Sequence, residues 1–136
     1  MTDVVLKGRS VFPGSVAGEA VVLKTPFSFL GELSADSGKL SVADPEVSGV
    51  CVRDKILVCP SGKGSSGGPT VAWLAKQAGN APLAIVCTEM EPVLALGVIT
   101  AEIPAVDRLE RDPVAVIKTG DWVALDGDVV RVTPRG

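Results

Sequence analysis

The fold is decided by residues 55–87, which read KILVCPSGKGSSGGPTVAWLAKQAGNAPLAIVC. The apolar runs at 55–60 and 81–87 have the composition of short strands that are buried on both faces. Residues 69–78 between them carry apolar side chains at helical spacing, and Gly79 is a typical helix terminator. The predicted apolar face of this helix consists of Val71, Leu74, Ala75 and Ala78. A strand, a helix and a second strand in this order predict parallel pairing of the two strands.

Shorter predicted elements flank this centre. Strands are predicted at 4–6, 19–24 and 103–106, with a turn at 13–15, and short helices at 92–98 and 113–118. Residues 26–54 show little periodicity and form a long excursion, which in so small a domain is usually functional or packed against something else. Residues 121–125 and 128–133 read as a hairpin with the turn at Asp126-Gly127. The order predicts a single α/β domain over residues 1–136, with a mixed sheet and some barrel-like closure.

Composition excludes several classes of protein. The 136 residues are 46% hydrophobic and 21% charged, which excludes a disordered chain. No apolar run reaches the roughly 18 residues of a membrane span, and the N-terminus does not resemble a signal peptide, so we expect a cytoplasmic protein with no membrane partner. A net charge of −3 argues against nucleic acid as a partner.

The chain has no His and no Tyr. A Ser-His-Asp or Cys-His site, a phosphohistidine relay and a His-ligated metal are therefore excluded within this chain. Its Cys51, Cys59 and Cys87 are widely spaced and include no C-x-x-C motif. We expect them to be reduced core residues rather than metal ligands, and we predict no metal site in this chain.

Residues 61–68, SGKGSSGG, are the strongest candidate for a functional site. Glycines allow close approach of backbone to a ligand, and the N-terminus of the following helix favours an anion. Lys63 adds positive charge, and Ser65 and Ser66 supply hydroxyls. The segment is not a nucleotide P-loop, because Leu57 stands where the motif needs its first Gly and Gly64 follows Lys63. The alternative is a surface loop with a serine helix cap.

Most of the other notable polar and aromatic residues have two readings. Glu89 and Glu91 suit acid–base chemistry or a solvated loop. Asp107-Arg108 suggests an ion pair or a cap. Trp73 lies off the apolar face of its helix and so suits a partner surface. The aromatic residues of the excursion, Phe27 and Phe29, suit either an interface or a satellite core.

Several segments occur in the order and spacing of one protein family. They are Pro26-Phe-Ser-Phe-Leu-Gly31, Asp36-Ser-Gly38, Gly62-Lys-Gly-Ser65, Glu91-Pro92, Gly97, Ile103-Pro104 and Asp107. On these segments the chain resembles the small subunit of aconitase X-type dehydratases, from about Lys7 to Val132. The resemblance implies the swivelling β/β/α domain of the aconitase superfamily, with a mixed sheet.

The resemblance also implies half of an active site. A larger aconitase X-type subunit would carry an iron or iron–sulfur centre, and this chain alone would bind none. Ser65 would be the base that removes the substrate proton, and Gly62, Lys63, Gly64 and Ser66 would bind an anionic 3-hydroxy acid. The sequence departs from aconitase itself at Gly67, where aconitase has an Arg that binds substrate carboxylate. It departs from the family pattern at Glu32, where a second Gly is expected.

Two substrates follow from the resemblance. Bacterial members of such families dehydrate cis-3-hydroxy-L-proline to a pyrroline-2-carboxylate, and archaeal members dehydrate mevalonate 5-phosphate. Because Ser66 stands where the archaeal pattern has Thr, the sequence favours cis-3-hydroxy-L-proline, with mevalonate 5-phosphate as the alternative. A non-catalytic binding or regulatory swivel module is the alternative from another functional class.

Overall fold

An eight-stranded mixed sheet forms the centre of the computed structural model, which describes residues 2–64 and 66–135. Its strands are β1 (Val4–Lys7), β2 (Arg9–Phe12), β3 (Ser15–Val22), β4 (Lys55–Cys59), β5 (Ala84–Cys87), β6 (Ala105–Asp107), β7 (Trp122–Asp126) and β8 (Val129–Thr133). The helices are α1 (Phe29–Glu32), α2 (Gly68–Gln77), α3 (Pro92–Ala101) and α4 (Pro113–Val116). No helix in the described part of the chain has the length and apolar character that crossing a membrane requires.

The sheet curls until its two edges meet. The strand order is β1-β8-β7-β3-β4-β5-β6-β2, with β3 to β6 parallel and the outer pairs antiparallel. β1 and β2 therefore lie at opposite edges, yet only Gly8 separates them in the chain. Gly8 donates its N–H to Asp128 O (2.8 Å), and a Cβ at Gly8 would lie 2.5 Å from Asp107 O. Only glycine fits this junction, and the closure confirms the predicted barrel-like mixed sheet.

Two apolar cores lie on the two faces of this curled sheet. Alternate side chains of each buried strand point to opposite faces, so Leu57 belongs to one core and Ile56 to the other. The first core lies beneath α2, α3 and the excursion. The second core lies inside the curl and includes Val123 and Val130 of the C-terminal hairpin. This arrangement explains why β4 after Lys55 and the whole of β5 are apolar.

The excursion at 26–54 is part of the first core. Phe27 and Phe29 are buried there, with ring centroids 5.1 Å apart in an edge-to-face arrangement. Of the two readings for these aromatics, burial in a core is therefore the right one, but the core is the first main core of the domain and not a satellite. The excursion contains only the short α1 and isolated bridges between strand-like residues, as its weak periodicity predicts.

The buried face of α2 differs from the predicted face. The helix buries Gly68, Ala72 and Ala75, whereas Leu74 is 46% exposed and Ala78 is also exposed. The reason is the neighbouring helix: a Cβ at Gly97 of α3 would lie only 3.7 Å from the Ala72 Cβ, so small residues make the contact. Hydrophobicity alone predicts that the larger Leu74 side chain is buried, and this prediction is wrong.

Several element boundaries also differ from the prediction. β2 was not predicted, β3 begins at Ser15 rather than at residue 19, and α3 continues to Ala101. The hairpin turn lies at Gly127-Asp128, because Asp126 still pairs with Val129. β2 is a short, half-exposed edge strand, so its sequence lacks the apolar alternation of a buried strand.

Candidate functional site

The glycine-rich loop leaves the carboxyl end of β4 and enters α2. Parallel strands deliver such loops to one edge of the sheet, where ligands of α/β domains commonly bind. Gly64 adopts a positive φ of 73°, which glycine accommodates without strain. The predicted base, Ser65, lies outside the described residues, and Ser66 is exposed in the turn that precedes α2.

The N-terminus of α2 is open to an anion. Its N-cap, Gly67, makes no side-chain capping hydrogen bond, and Pro69 occupies the first turn. Among the described residues, no side chain at the N-cap neutralises the positive end of the helix dipole there, and the amide N–H groups of Gly68 and Thr70 flank Pro69, which has none. This geometry supports the predicted binding of an anionic group at the loop.

The excursion is fastened to the loop. Phe27 N donates to Ser61 O (2.9 Å), and Lys63 N donates to Phe27 O (3.1 Å). The Lys63 ammonium forms an ion pair with Glu32 Oε2 (2.8 Å), and Glu32 Oε1 accepts the Ser28 N–H (2.9 Å). Lys63, predicted to bind substrate, thus already has a protein counter-ion. Glu32, the departure from the family pattern, provides that counter-ion.

Glu91 lies directly beneath the loop. It is the N-cap of α3, and its carboxylate accepts the N–H groups of Val93 (2.7 Å) and Leu94 (3.1 Å). A Cβ at Gly62 would lie 2.6 Å from Glu91 Oε2, so the loop rests on this carboxylate without a side chain between them. Beside it is a cavity of about 10 Å³, close to the smallest volume that holds one water, lined in part by Ser28, Gly64 and Glu91.

The two predicted acid–base carboxylates do not work as a pair. Glu89 turns outward and forms a forked ion pair with Arg108, with Nε–Oε2 at 2.9 Å and Nη2–Oε1 at 2.9 Å. The hydrogen bond from Arg108 lowers the pKa of Glu89. Glu91 serves as a helix cap. Sequence reasoning missed this role, although Glu91-Pro92 ahead of an apolar run is a recognisable start of a helix.

A buried carboxylate fixes the segment that leads to Glu91. Asp107 is fully buried and accepts Arg9 Nε (2.9 Å), Arg9 Nη2 (2.8 Å) and Met90 N (2.8 Å). Hydrogen bonding to Asp107 raises the pKa of Arg9. The predicted ion-pair reading of Asp107-Arg108 is correct, but the two residues bind different partners. Arg9 lies 98 residues from Asp107 in the sequence, and Glu89 lies 19 residues from Arg108. Local patterns in a single sequence do not reveal pairs so far apart.

The cysteines are free thiols. Cys59 and Cys87 lie side by side on β4 and β5, fully buried, with 3.2 Å between their sulfur atoms, and Cys51 is partly exposed. The hydrogen bond with Cys59, together with burial, raises the pKa of Cys87 well above its ordinary value. Among residues 2–64 and 66–135, no three His, Cys, Asp or Glu side chains converge as a set of metal ligands.

Comparisons with known proteins agree on one family. The family model described as the aconitase X swivel domain matches residues 5–133. The phosphomevalonate dehydratase small subunit of Methanosarcina acetivorans is 37% identical over 139 residues, which cover 100% of this chain and 96% of the relative. The corresponding small subunit of Thermococcus sibiricus is 41% identical over 123 residues, covering 90% of this chain and 92% of the relative.

A solved structure has the same architecture. The match is a chain in the crystal structure of the holo form of Thermococcus kodakaraensis aconitase X. That chain is 36% identical, the match covers 96% of this chain and 99% of the other, and the TM-score is 0.88. The predicted swivel-domain fold is confirmed.

Proposed function

The chain belongs to the aconitase X swivel domain family, and we propose that it is the small subunit of a phosphomevalonate dehydratase. The observation that carries the proposal is similarity to small subunits of that name over nearly the full length of both chains. As a small subunit of a dehydratase, the chain acts together with a larger catalytic subunit.

The choice of substrate departs from the preference in the sequence. Ser66 favoured cis-3-hydroxy-L-proline, whereas the relatives named above are phosphomevalonate dehydratase subunits. A single Ser in place of Thr is a small chemical change, and it weighs less than similarity along the whole chain. We therefore propose mevalonate 5-phosphate as the substrate.

This chain would contribute two things to the reaction: a binding site for an anionic group of the substrate, and a base that accepts the substrate proton. The first-turn amides of α2 and the glycine backbone at 62–64 would hold an anionic group of the substrate. Lys63 would contribute less charge than its position suggests, because Glu32 already neutralises it. Ser65 would take the proton from the carbon next to the substrate carboxylate, as the electron pair of that C–H bond forms the new C=C bond.

A serine hydroxyl acts as a base only when its alkoxide is stabilised. The amides at the start of α2 would supply such stabilisation, and closure of a partner over the loop would exclude water and strengthen it. The described residues of this chain do not fit an iron or iron–sulfur centre, because no ligand set converges among them. Departure of the hydroxide is therefore assigned to the larger subunit.

The test uses the complex of this chain with the larger aconitase X-type subunit from the same organism. Dehydration of mevalonate 5-phosphate and of cis-3-hydroxy-L-proline is measured separately. We expect activity on mevalonate 5-phosphate, and a loss of about 100-fold or more in kcat for Ser65→Ala, the scale of a general base. Ser10→Ala, on the exposed face of β2, is the matched control and should retain activity.

Three outcomes would change the proposal. Activity on cis-3-hydroxy-L-proline alone would replace the substrate. Undiminished activity of Ser65→Ala would remove Ser65 as the base. A complex that forms but dehydrates neither compound would favour a non-catalytic binding module.

A further inference from the structure

Helix α3 is almost entirely apolar, and Thr100 is its one polar side chain. Its ten residues, PVLALGVITA, contain no charged side chain. A helix of this composition is normally buried all round. Here Leu94, Gly97, Val98 and Ala101 face the core, whereas Leu96 and Ile99 on the opposite side are 55% and 48% exposed. The sequence of α3 is therefore that of a buried helix, but one side of it has no cover within the described chain.

The neighbouring elements extend this uncovered side. On α2, whose ten residues include a single charged side chain at Lys76, Trp73 is 46% exposed, as Leu74 is. The helices lie side by side: Ala72 contacts α3 at Gly97, and Lys76 Nζ donates to Glu102 O (3.0 Å) just beyond α3. We name Leu30, Trp73, Leu74, Leu96 and Ile99 the outer helical face.

The outer helical face reaches the glycine-rich loop. A Cβ at Gly67 would lie 3.0 Å from Leu30 Cδ2, so Leu30 packs against the last residue before α2. Leu74 follows Gly67 by two helical turns and lies on the same stripe of α2. The apolar surface thus runs from the edge of the candidate site across α1 and α2 to the outside of α3.

We propose that the outer helical face is the docking surface for the larger dehydratase subunit, which would present an apolar surface with few charges. This inference rests on the proposed function, because the reaction requires the larger subunit to meet the loop. A partner that covers the loop must also cover what adjoins it, beginning with Leu30. A second copy of this chain on the same face would instead obstruct the edge of the loop, so we assign the face to the larger subunit.

The two tryptophans of the chain provide a matched test. Trp73 lies on the outer helical face, and Trp122 is 39% exposed on β7, where the Arg135 guanidinium lies 5.4 Å from its ring centroid. The dissociation constant for the purified larger subunit is measured for the wild type, Trp73→Glu, Leu96→Lys and Trp122→Glu. Both variants of the face should raise the dissociation constant about 30-fold or more, as interface anchors do. Trp122→Glu should stay within about threefold of the wild type.

Three further readouts distinguish a lost contact from a folding defect. Urea unfolding of each isolated variant should match that of the wild type, because the replaced side chains are half exposed and lie outside both cores. In a Trp122→Phe background Trp73 is the remaining tryptophan, and its fluorescence should shift to shorter wavelength when the larger subunit binds. At saturating larger subunit, Trp73→Glu should recover wild-type kcat.

The results separate two kinds of failure. If the wild type binds and dehydrates mevalonate 5-phosphate, but both variants of the face bind equally well, the inference is wrong and the proposed function stands. Self-association of the chain that Trp73→Glu abolishes, with binding of the larger subunit unchanged, would assign the face to a second copy. If the wild type neither binds the larger subunit nor dehydrates the substrate with it, the proposed function fails and the inference fails with it.

Discussion

Replacing Gly62 with Ala tests whether the position of the glycine-rich loop is set by contact with α3. The added methyl carbon would lie 2.6 Å from Glu91 Oε2 and 2.7 Å from Leu94 Cβ. Ordinary contacts of such atoms begin near 3.4 Å. Neither neighbour yields easily, because two backbone amides hold the carboxylate and the Leu94 Cβ is attached to the helix backbone. The loop must therefore move away from α3 by about 0.8 Å, a displacement on the scale that costs an active site about 100-fold.

The assay compares kcat/KM for mevalonate 5-phosphate in the assembled enzyme with the urea unfolding of the isolated chain. We expect kcat/KM to fall about 100-fold for Gly62→Ala, with a loss of about 1 to 3 kcal/mol in unfolding free energy from overpacking. Gly68→Ala is the control for stability, because among the described residues a Cβ there would meet only Val93 Cγ1 at 3.9 Å. It should stay within about 0.5 kcal/mol of the wild type. Full activity and stability of Gly62→Ala would refute the claim that this contact fixes the loop.

Two other features predict measurable behaviour. Asp107→Asn should lower the free energy of unfolding by about 3 kcal/mol, because it weakens three hydrogen bonds to a fully buried carboxylate. Arg9→Ala should cost at least as much, because it removes two of these hydrogen bonds and leaves the buried Asp107 carboxylate without its counter-ion, and a clearly smaller loss in urea titrations would contradict this. A thiol reagent at pH 8 should label Cys51 in the native chain, and Cys59 and Cys87 only after unfolding. Burial and the raised pKa of Cys87 keep that thiol protonated, so rapid labelling of more than one thiol per native chain would refute the buried pair.

The centre of the fold follows from sequence because its signals are local. β4 after Lys55 and β5 are continuous apolar runs, and the helix between them ends at Gln77, just before Gly79 with its positive φ of 76°. Closure of the sheet was predicted only in outline. The joint at Gly8 depends on contacts with Asp107 and Asp128, which lie about a hundred residues away. A glycine between two short strands gives no local sign of such a contact.

The site was predictable as a loop but not as a set of contacts. Glycine spacing, the strand before it and the helix after it predict that residues 61–68 form a loop suited to an anion, and the structure places this loop between β4 and α2. The Lys63–Glu32 ion pair spans 31 residues and joins the loop to an irregular segment, so no periodic pattern announces it. The buried face of α2 was misjudged for a related reason, since the small Ala72 was selected by its neighbour Gly97 rather than by its own hydrophobicity.

The ion pair between Lys63 and Glu32 has a consequence for how the substrate is held. The chain has a net charge of −3, and the cation of its candidate loop is already bound to a carboxylate that is itself mostly buried. A substrate with a phosphate and a carboxylate needs more positive charge than the amides of one helix N-terminus provide. Under the proposed function we therefore expect the larger subunit to supply the cationic groups, with the small subunit supplying a fixed loop. The contact of Leu30 with Gly67 places that loop at the edge of the outer helical face, so docking there would bring both halves of the site together.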